Sequence, residues 1–563
     1  MTPRPVAEID AELTRPGSPY EVEVVDVAGV PTRSWRHAPR TLGEIVAASA
    51  RFGDRDWLVY EGERTTFAEH ADAVARLAGA LVERYRLRRG ERVAIAMRNL
   101  PEWSIAFWGI TAAGGVAVAL NAWWTADELA FGLADSGAAV LLADDERADR
   151  LADRLADLPD LRAAVVARPA GALRAGWDTF DELLAGARPA PLADPAIGPD
   201  DDATLFYTSG TTGRPKGVRG THRNICTNPL SAAYVAARAA VRRGAEPLSP
   251  GAAPPQVYLL SVPLFHATGC HSLLVGHLFN GNRMVVMHRW DAGRALELIE
   301  RERVTAFGGV PTMALQVLDH PDLARRDTSS VTSVRYGGAP APPDLARRVQ
   351  EAFGVPAMNG WGMTETSALS SMNVGDDYLA RPDSIGVPVP VVEVRVVGAD
   401  GVEVATGEVG ELWVRGPNVV PGYWRRPEET AATFVDGWVR TGDLARVDGD
   451  GFLYVVDRAK DIVIRGGENV ASVEVEGVLH AHPAVAEAAV VGVPHPTLGE
   501  EVAAIVSLLP GRDATAEELQ AFTAERLARF KVPTRMVIRR AALPRNPAGK
   551  LMKRELRQEI ADR

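Results

Sequence analysis

The stretch YTSGTTGRPKG, residues 207–217, groups Thr208, Ser209, Thr211 and Thr212 around Gly210 and Gly213 and then adds Lys216. Glycine lets a backbone turn sharply and approach a ligand closely. Amides and hydroxyls exposed in such a loop can hold phosphate oxygens, and a lysine adds a point charge. The spacing matches neither GxxxxGK[ST] nor GxGxxG. Read from its residues, this is a phosphate-gripping loop of another construction, or a plain flexible turn.

Other segments carry chemistry of the same kind. Residues 359–365 read NGWGMTE, with Trp361 between glycines and Thr364 and Glu365 directly behind it. Core tryptophan and solvated glutamate is the bland reading, but glycine on both sides makes a tightly packed core position less natural. YGGAP, 336–340, follows a short apolar run, where glycines would let the backbone approach a flat ring or simply turn. In TGDLARVDGDGFLYVVDRAKD, Asp443 sits in a glycine-bounded turn and Arg458 beside a charged break. A carboxylate there can accept both vicinal hydroxyls of a ribose. RNPAGKLMKREL sets Lys550 after a turn. Basic clusters near a terminus are ordinarily solvated, but a cation also lowers the barrier where charge builds during attack on phosphorus. PLFHATGCHS offers His266 as a core histidine, a general base or a pocket wall, and no other His or Cys stands at metal-ligand spacing.

Taken in chain order, the segments resemble the AMP-forming acyl-CoA synthetase and ligase superfamily, which includes firefly luciferase and the adenylation domains of peptide synthetases. The match at YTSGTTGRPKG is almost letter for letter, and the resemblance covers nearly everything beyond the first forty residues. It implies that the loop Thr208–Lys216 binds ATP phosphates and that Gly338, Ala339, Asn359, Gly360 and Trp361 surround adenine and the acyl group. Thr364 would contact the α-phosphate, and Glu365, with Thr208, would hold magnesium. Asp443 would bind the ribose hydroxyls, Arg458 the ribose or phosphate, and Lys550 would bridge carboxylate and α-phosphate. Lys460 matches the hinge of the small domain, and Gly466 and Gly467 in RGGENV match the loop lining the thiol's tunnel. His266 joins the catalytic set as a wall near the reacting carboxylate. Two departures stand out: Trp361 replaces the usual tyrosine, which keeps a stacking face and changes the polar handle, and Asp457 stands where many relatives have glycine.

Elements must position these residues. The chain has 563 residues, 46% of them apolar, which calls for at least two domains and excludes a disordered protein. Helical patterns such as AEHADAVARLAGALVERY alternate with short apolar runs such as RVAIAM and AAVLLA, which predicts parallel sheets with crossover helices. The uncharged stretch 103–126 reads as a buried helix turning at Gly114-Gly115 into a buried strand rather than as a membrane span. Residues 187–202 form a linker and 243–256 a surface loop. After Tyr378 the texture turns to short β-rich pieces, and the end of the chain reads as a small α+β unit. The expected fold class is α/β: layered subdomains plus a small distorted β-barrel, then a small mobile α+β domain. The expected division is an irregular extension over 1–40, an adenylate-forming domain over 41–457 and a mobile domain over 458–563.

The net charge of −11 argues against nucleic acid or anionic membrane as the main partner. Two cysteines without a CxxC pattern, and an N-terminus without an apolar core, fit a reducing, cytoplasmic compartment. By resemblance the chain is an ATP-dependent carboxylate–CoA ligase using Mg²⁺, ATP and CoA, in a family where dimers are common. A carrier-protein thiol or an amine as acceptor is the alternative. The pocket pieces, 266–271, 308–312 and 336–339, are mostly small or apolar and suit a fatty, alicyclic or aryl acid better than one with a second charge.

Overall fold

A computed structural model describes residues 4–208, 215–466, 468–546 and 549–561. Two mainly parallel sheets form the body. In the first, the strands Arg92–Ala96, Val116–Ala119, Val140–Asp144 and Ala163–Ala167 pair in parallel, and Asp202–Thr208 joins Val116–Ala119 in the same sense. In the second, Val257–Leu260, Arg283–Val286, Ala306–Gly309, Ser333–Gly337 and Ala357–Trp361 run parallel, with antiparallel strands at the edges. Parallel strands buried on both faces need uninterrupted apolar runs, and VAVA and VLLAD supply them with every residue buried. The uncharged stretch is the buried helix Pro101–Ala112 followed by the strand Val116–Ala119. Among the described residues, no helix is long and apolar enough to cross a membrane.

The β-rich region is an antiparallel sheet of Glu393–Val397, Gly410–Arg415, Trp438–Val447, Phe434–Val435 and Leu453–Arg458. A bridge between Gly386 and Leu453 ties it to the second parallel sheet's edge. Arg458 ends the last strand of this unit, and Val463 opens the first strand of the C-terminal sheet. That sheet carries the long hairpin Val485–His495/Gly499–Leu508 and the helices Ser472–His480, Ala516–Ala524 and Lys553–Ala561.

Residues 4–40 are not irregular. They form the helix Val6–Leu13 and a hairpin of Val22–Val27 with Val30–Trp35. Ile9, Leu13, Tyr20 and Trp35 share a core cluster with Leu230 and Tyr234 of the long helix His222–Arg242. Trp35 donates its indole N–H to Ser231 Oγ at 3.0 Å. A signal was present in the sequence: Ala28-Gly29, both at positive φ, is a two-residue turn between extended runs.

Candidate active site

The described ends of the segment YTSGTTGRPKG lie on two paired strands. Thr208 ends one strand and pairs with Lys216, which opens the antiparallel return strand Lys216–Thr221. Ser209, Gly210, Thr211, Thr212 and Gly213 lie outside the described residues. Strand–loop–strand differs from the strand–loop–helix of a Walker site. Lys216 Nζ lies 3.8 Å from Glu429 and 5.4 Å from the centre of the Tyr423 ring.

Tyr423 links this hairpin to Glu365. Its strand pairs with Lys216–Thr221, and its hydroxyl donates to Glu365 Oε1 at 2.9 Å. Burial raises the Glu365 carboxyl above its ordinary range, and the Tyr423 hydrogen bond and the charges of Arg458 and Lys550 oppose this. Glu365 stands on a 3₁₀ turn, Thr364–Thr366, within a folded-back loop. Asn228 donates to the Ser367 carbonyl at 2.8 Å and accepts from Leu369 N at 3.1 Å. Asn418 donates to the carbonyls of Thr366 and Leu369 at 3.1 and 3.2 Å. His271 and the Ser367 hydroxyl are 3.0 Å apart. Asn228 also donates to the Ile225 carbonyl at 3.2 Å, an acceptor that loses its helical partner because Pro229 has no N–H.

Trp361 turns its polar handle to Asp443, donating from Nε1 to Oδ2 at 3.0 Å. Arg458, opposite Asp443 in the strand register, brings Nε within 3.1 Å of Oδ1. Gly338, at φ +74°, turns the chain at the end of its strand, a conformation that L side chains resist. Asn359 and Gly360 lie on the adjacent strand, in register with Tyr336 and Gly337, and Ala339 follows Gly338.

Lys550 comes from the C-terminal domain. Its turn is held by Asn546, which accepts from Lys550 N at 2.9 Å, and by Arg545, which donates to the Gly549 carbonyl at 2.7 Å. Lys550 is exposed as a residue, yet its ammonium is largely enclosed and lies among the charges of Arg458, Asp443 and Glu365. That enclosure lowers its pKa to about 8, helped by the Arg458 cation and opposed by Asp443 and Glu365. His266 is pushed down to about 4 by burial and by Lys550. Gly549, at φ +77°, packs so closely that a Cβ would stand 2.7 Å from Val310 Cγ2.

Lys460 follows Ala459, whose N–H donates to Gly442 O at 2.9 Å, and enclosure lowers the Lys460 pKa. The unusual Asp457 accepts from Ser472 N and, at 3.4 Å, from Val473 N, so it caps the first helix of the C-terminal domain from the preceding strand. Gly466 donates its N–H to Leu498 O at 2.8 Å within its own domain, and Gly467 lies outside the described residues.

Beside this cluster lies a cavity of about 410 Å³. Gly338, Gly360 and Trp361 stand on its wall, together with alanines of the helix His222–Arg242, Tyr20 and Leu248. His266 does not line this cavity, contrary to expectation; Thr268, Ser272 and Leu273, on the π-helical turn just after it, do. The paired glycines divide their roles: Gly309 lines the cavity, whereas a Cβ on Gly308 would collide with the Arg335 carbonyl of the adjacent strand. Tyr423, Asn228, Asn418 and Val310 were not singled out in the sequence. A signal existed only for Tyr423, an aromatic following a Pro-Gly turn in PNVVPGYW.

The family model described as AMP-binding enzyme matches residues 45–424, and the one described as AMP-binding enzyme C-terminal domain matches 474–550. A feruloyl-CoA synthase of Amycolatopsis sp is 38% identical, over 89% of this chain and 94% of its own length. A long-chain-fatty-acid–CoA ligase of Bacillus subtilis (strain 168) is 34% identical, over 92% and 94% respectively. The crystal structure of the anthranilate CoA ligase AuaEII in complex with anthranoyl-AMP is similar with a TM-score of 0.82 and 26% identity, covering 92% of this chain and 97% of that one. The chain belongs to the AMP-binding enzyme family and is an AMP-forming acyl-CoA ligase, with ATP and CoA as substrates.

Proposed function

We propose that the cleft between the body and the C-terminal domain activates a carboxylic acid whose apolar part occupies the 410 Å³ cavity. The carboxylate sits at the Gly338–Thr364 end and attacks the α-phosphate of ATP, giving acyl-AMP and pyrophosphate. CoA thiol then displaces AMP. Asp443 and Arg458 hold the ribose, Trp361 flanks adenine, and the loop from Thr208 to Lys216 holds the phosphates. Thr364 contacts the α-phosphate. Lys550 neutralises charge shared by carboxylate and α-phosphate, where a preorganised cation is most effective. Neutral at working pH, His266 backs the Lys550 side of the cleft without adding a repelling charge.

Magnesium fits Glu365, a buried carboxylate with one oxygen held by Tyr423, and Thr208 is the second candidate ligand. Such an ion needs only one or two protein oxygens when phosphates complete its shell, and when bound it neutralises phosphate charge. Lys460 is the pivot on which the small domain turns to bring the Gly466–Gly467 loop to the thiol in the second step.

The observation that carries this reading is that Lys550, from a separate domain, shares one electrostatic neighbourhood with Glu365, Asp443 and Arg458. Mass spectrometry on a panel of acids with Mg·ATP, with and without CoA, tests it. Acyl-CoA and AMP from one acid class support the reading. Acyl-AMP that accumulates despite CoA would sink the thioester step.

A further inference from the structure

Two arginines on the cavity wall, Arg243 and Arg335, have no anionic partner among the described residues; Arg243 is exposed to solvent, and Arg335 is the enclosed one. Arg335 lies on the strand Ser333–Gly337 and lines the cavity; its neighbours Val334 and Tyr336 join an apolar core, and Tyr336 also borders the cavity. Its guanidinium donates to Gln256 Oε1 at 2.8 Å, and its Nε to Ser333 Oγ at 3.4 Å. Both acceptors are neutral, and among the described residues no carboxylate pairs with it. Nearby arginines are treated differently: Arg242 is paired with Asp377, and Arg283 with Asp56. The polar neighbours of Arg335 are spent on one another. Asn282 bonds His277 Nδ1 at 2.9 Å and accepts from Gln256 N at 2.8 Å, and Asn280 donates to Gly276 O at 2.8 Å. Of the five donors a guanidinium carries, the two bonds above use two. An enclosed, uncompensated cation is costly unless something arrives to pair with it.

We propose that Arg335 is a specificity residue, recognising an acceptor oxygen at the far end of the acyl group. This rests on the reading that the reacting carboxylate lies at the Gly338–Thr364 end. Arg335 stands three residues before Gly338, which turns the chain just past the strand, so it lies roughly 10 Å deeper at about 3.3 Å per residue. An arylpropenoic acid with a para oxygen spans that depth, as does a medium-length α,ω-dicarboxylic acid. The walls favour the flat molecule, since glycine backbone at Gly309 and Gly337 and alanine methyls at Ala233 and Ala237 leave room for a ring. A phenolic acid stays within the expectation of an aryl acid, whereas a dicarboxylic acid brings the second charge that the mostly small or apolar pocket pieces suit less well.

The test measures kcat/KM for AMP formation with acids paired to differ only in the distal oxygen: 4-hydroxycinnamate against cinnamate, and decanedioate against decanoate. Wild type is expected to favour the oxygenated member of one pair by about a hundredfold or more, as sites built around a substrate oxygen do; which pair shows it names the source. In R335M that ratio collapses toward one, and in R335K it survives better for a carboxylate than for a phenol, because lysine is a point charge without a planar fork. A wild-type ratio near one in both pairs, or a ratio unmoved in R335M, overturns the proposal and leaves the ligase reading intact. Wild type making no AMP from any acid overturns both. Should R335M fail to fold by thermal melting, the wild-type ratios and R335K decide.

Discussion

Glu365 and Lys550 reach one cleft by opposite means. Glu365 is fixed: its loop is clamped by Asn228, Asn418 and His271, and its carboxylate by Tyr423. Lys550 is delivered: among the described residues its turn is hydrogen-bonded within the C-terminal domain, and it meets the body through the close contact of Gly549 with Val310. The fixed half is built into the folding free energy, whereas the delivered half depends on how the second domain sits. Damage to the first should cost both activity and stability, and damage to the second should cost one reaction step.

Lys550→Ala is the sharpest probe of that difference. It should slow acyl-AMP formation about a hundredfold or more, the scale for losing one preorganised charge, and leave thioester formation from supplied acyl-AMP far less affected. An equal loss in both steps would break the comparison. Gly549→Val, which places branched carbons against Val310 at a positive φ, should slow adenylation about tenfold through mis-docking. Its thioester step, followed in the same assay, should stay near wild type. Asn418→Ala removes a clamp on the fixed half, and leaving buried carbonyls unpaired should lower stability by about 1–3 kcal/mol, visible in urea unfolding. If Asn418→Ala leaves stability untouched, the fixed half is less fixed than its hydrogen bonds suggest. Asp457→Ala removes the cap that joins the strand Leu453–Arg458 to the helix Ser472–His480, and should cost about 1 kcal/mol; if Lys460 is the pivot proposed above, it should also shift the balance between the two steps.

A separate expected effect is on pH. Burial lowers His70, His271 and His277 to about 3 and His222 and His266 to about 4. Below the ordinary histidine value of 6.5, the unfolded chain therefore binds more protons than the folded one. Stability should fall as pH drops from about 6.5 toward 4. His277→Asn should flatten that slope in urea midpoints measured across the window.

Much of this was legible in the residues. The alternation of helical and apolar runs specified the parallel sheets because strands buried on both faces admit little else, and TGD, GMTE and GK marked Asp443, Glu365 and Lys550. What stayed hidden was relational. Asn228 and Asn418 look like any surface amides until the fold brings a bent loop against them, and Tyr423 acquires its partner only when Gly422–Tyr423 adds to the hairpin. Arg335 sits in a motif whose glycines draw the eye, and its lack of a counter-charge is a property of three dimensions. Irregularity over 1–40 was expected because the helix there is short and its apolar residues are few, so its packing partners, not its own pattern, hold it.

Those first residues have a consequence for how the chamber can change. Tyr20 bonds to the carbonyls of Ala233 and Leu248 at 3.2 and 2.9 Å and stands on the cavity wall. One boundary of the substrate space is thus an add-on segment, remote in sequence from every nucleotide motif. Exchanging or trimming that segment would reshape the acids admitted while leaving the phosphate and ribose contacts alone, so selectivity in this scaffold can drift at its N-terminus without touching the machinery of activation.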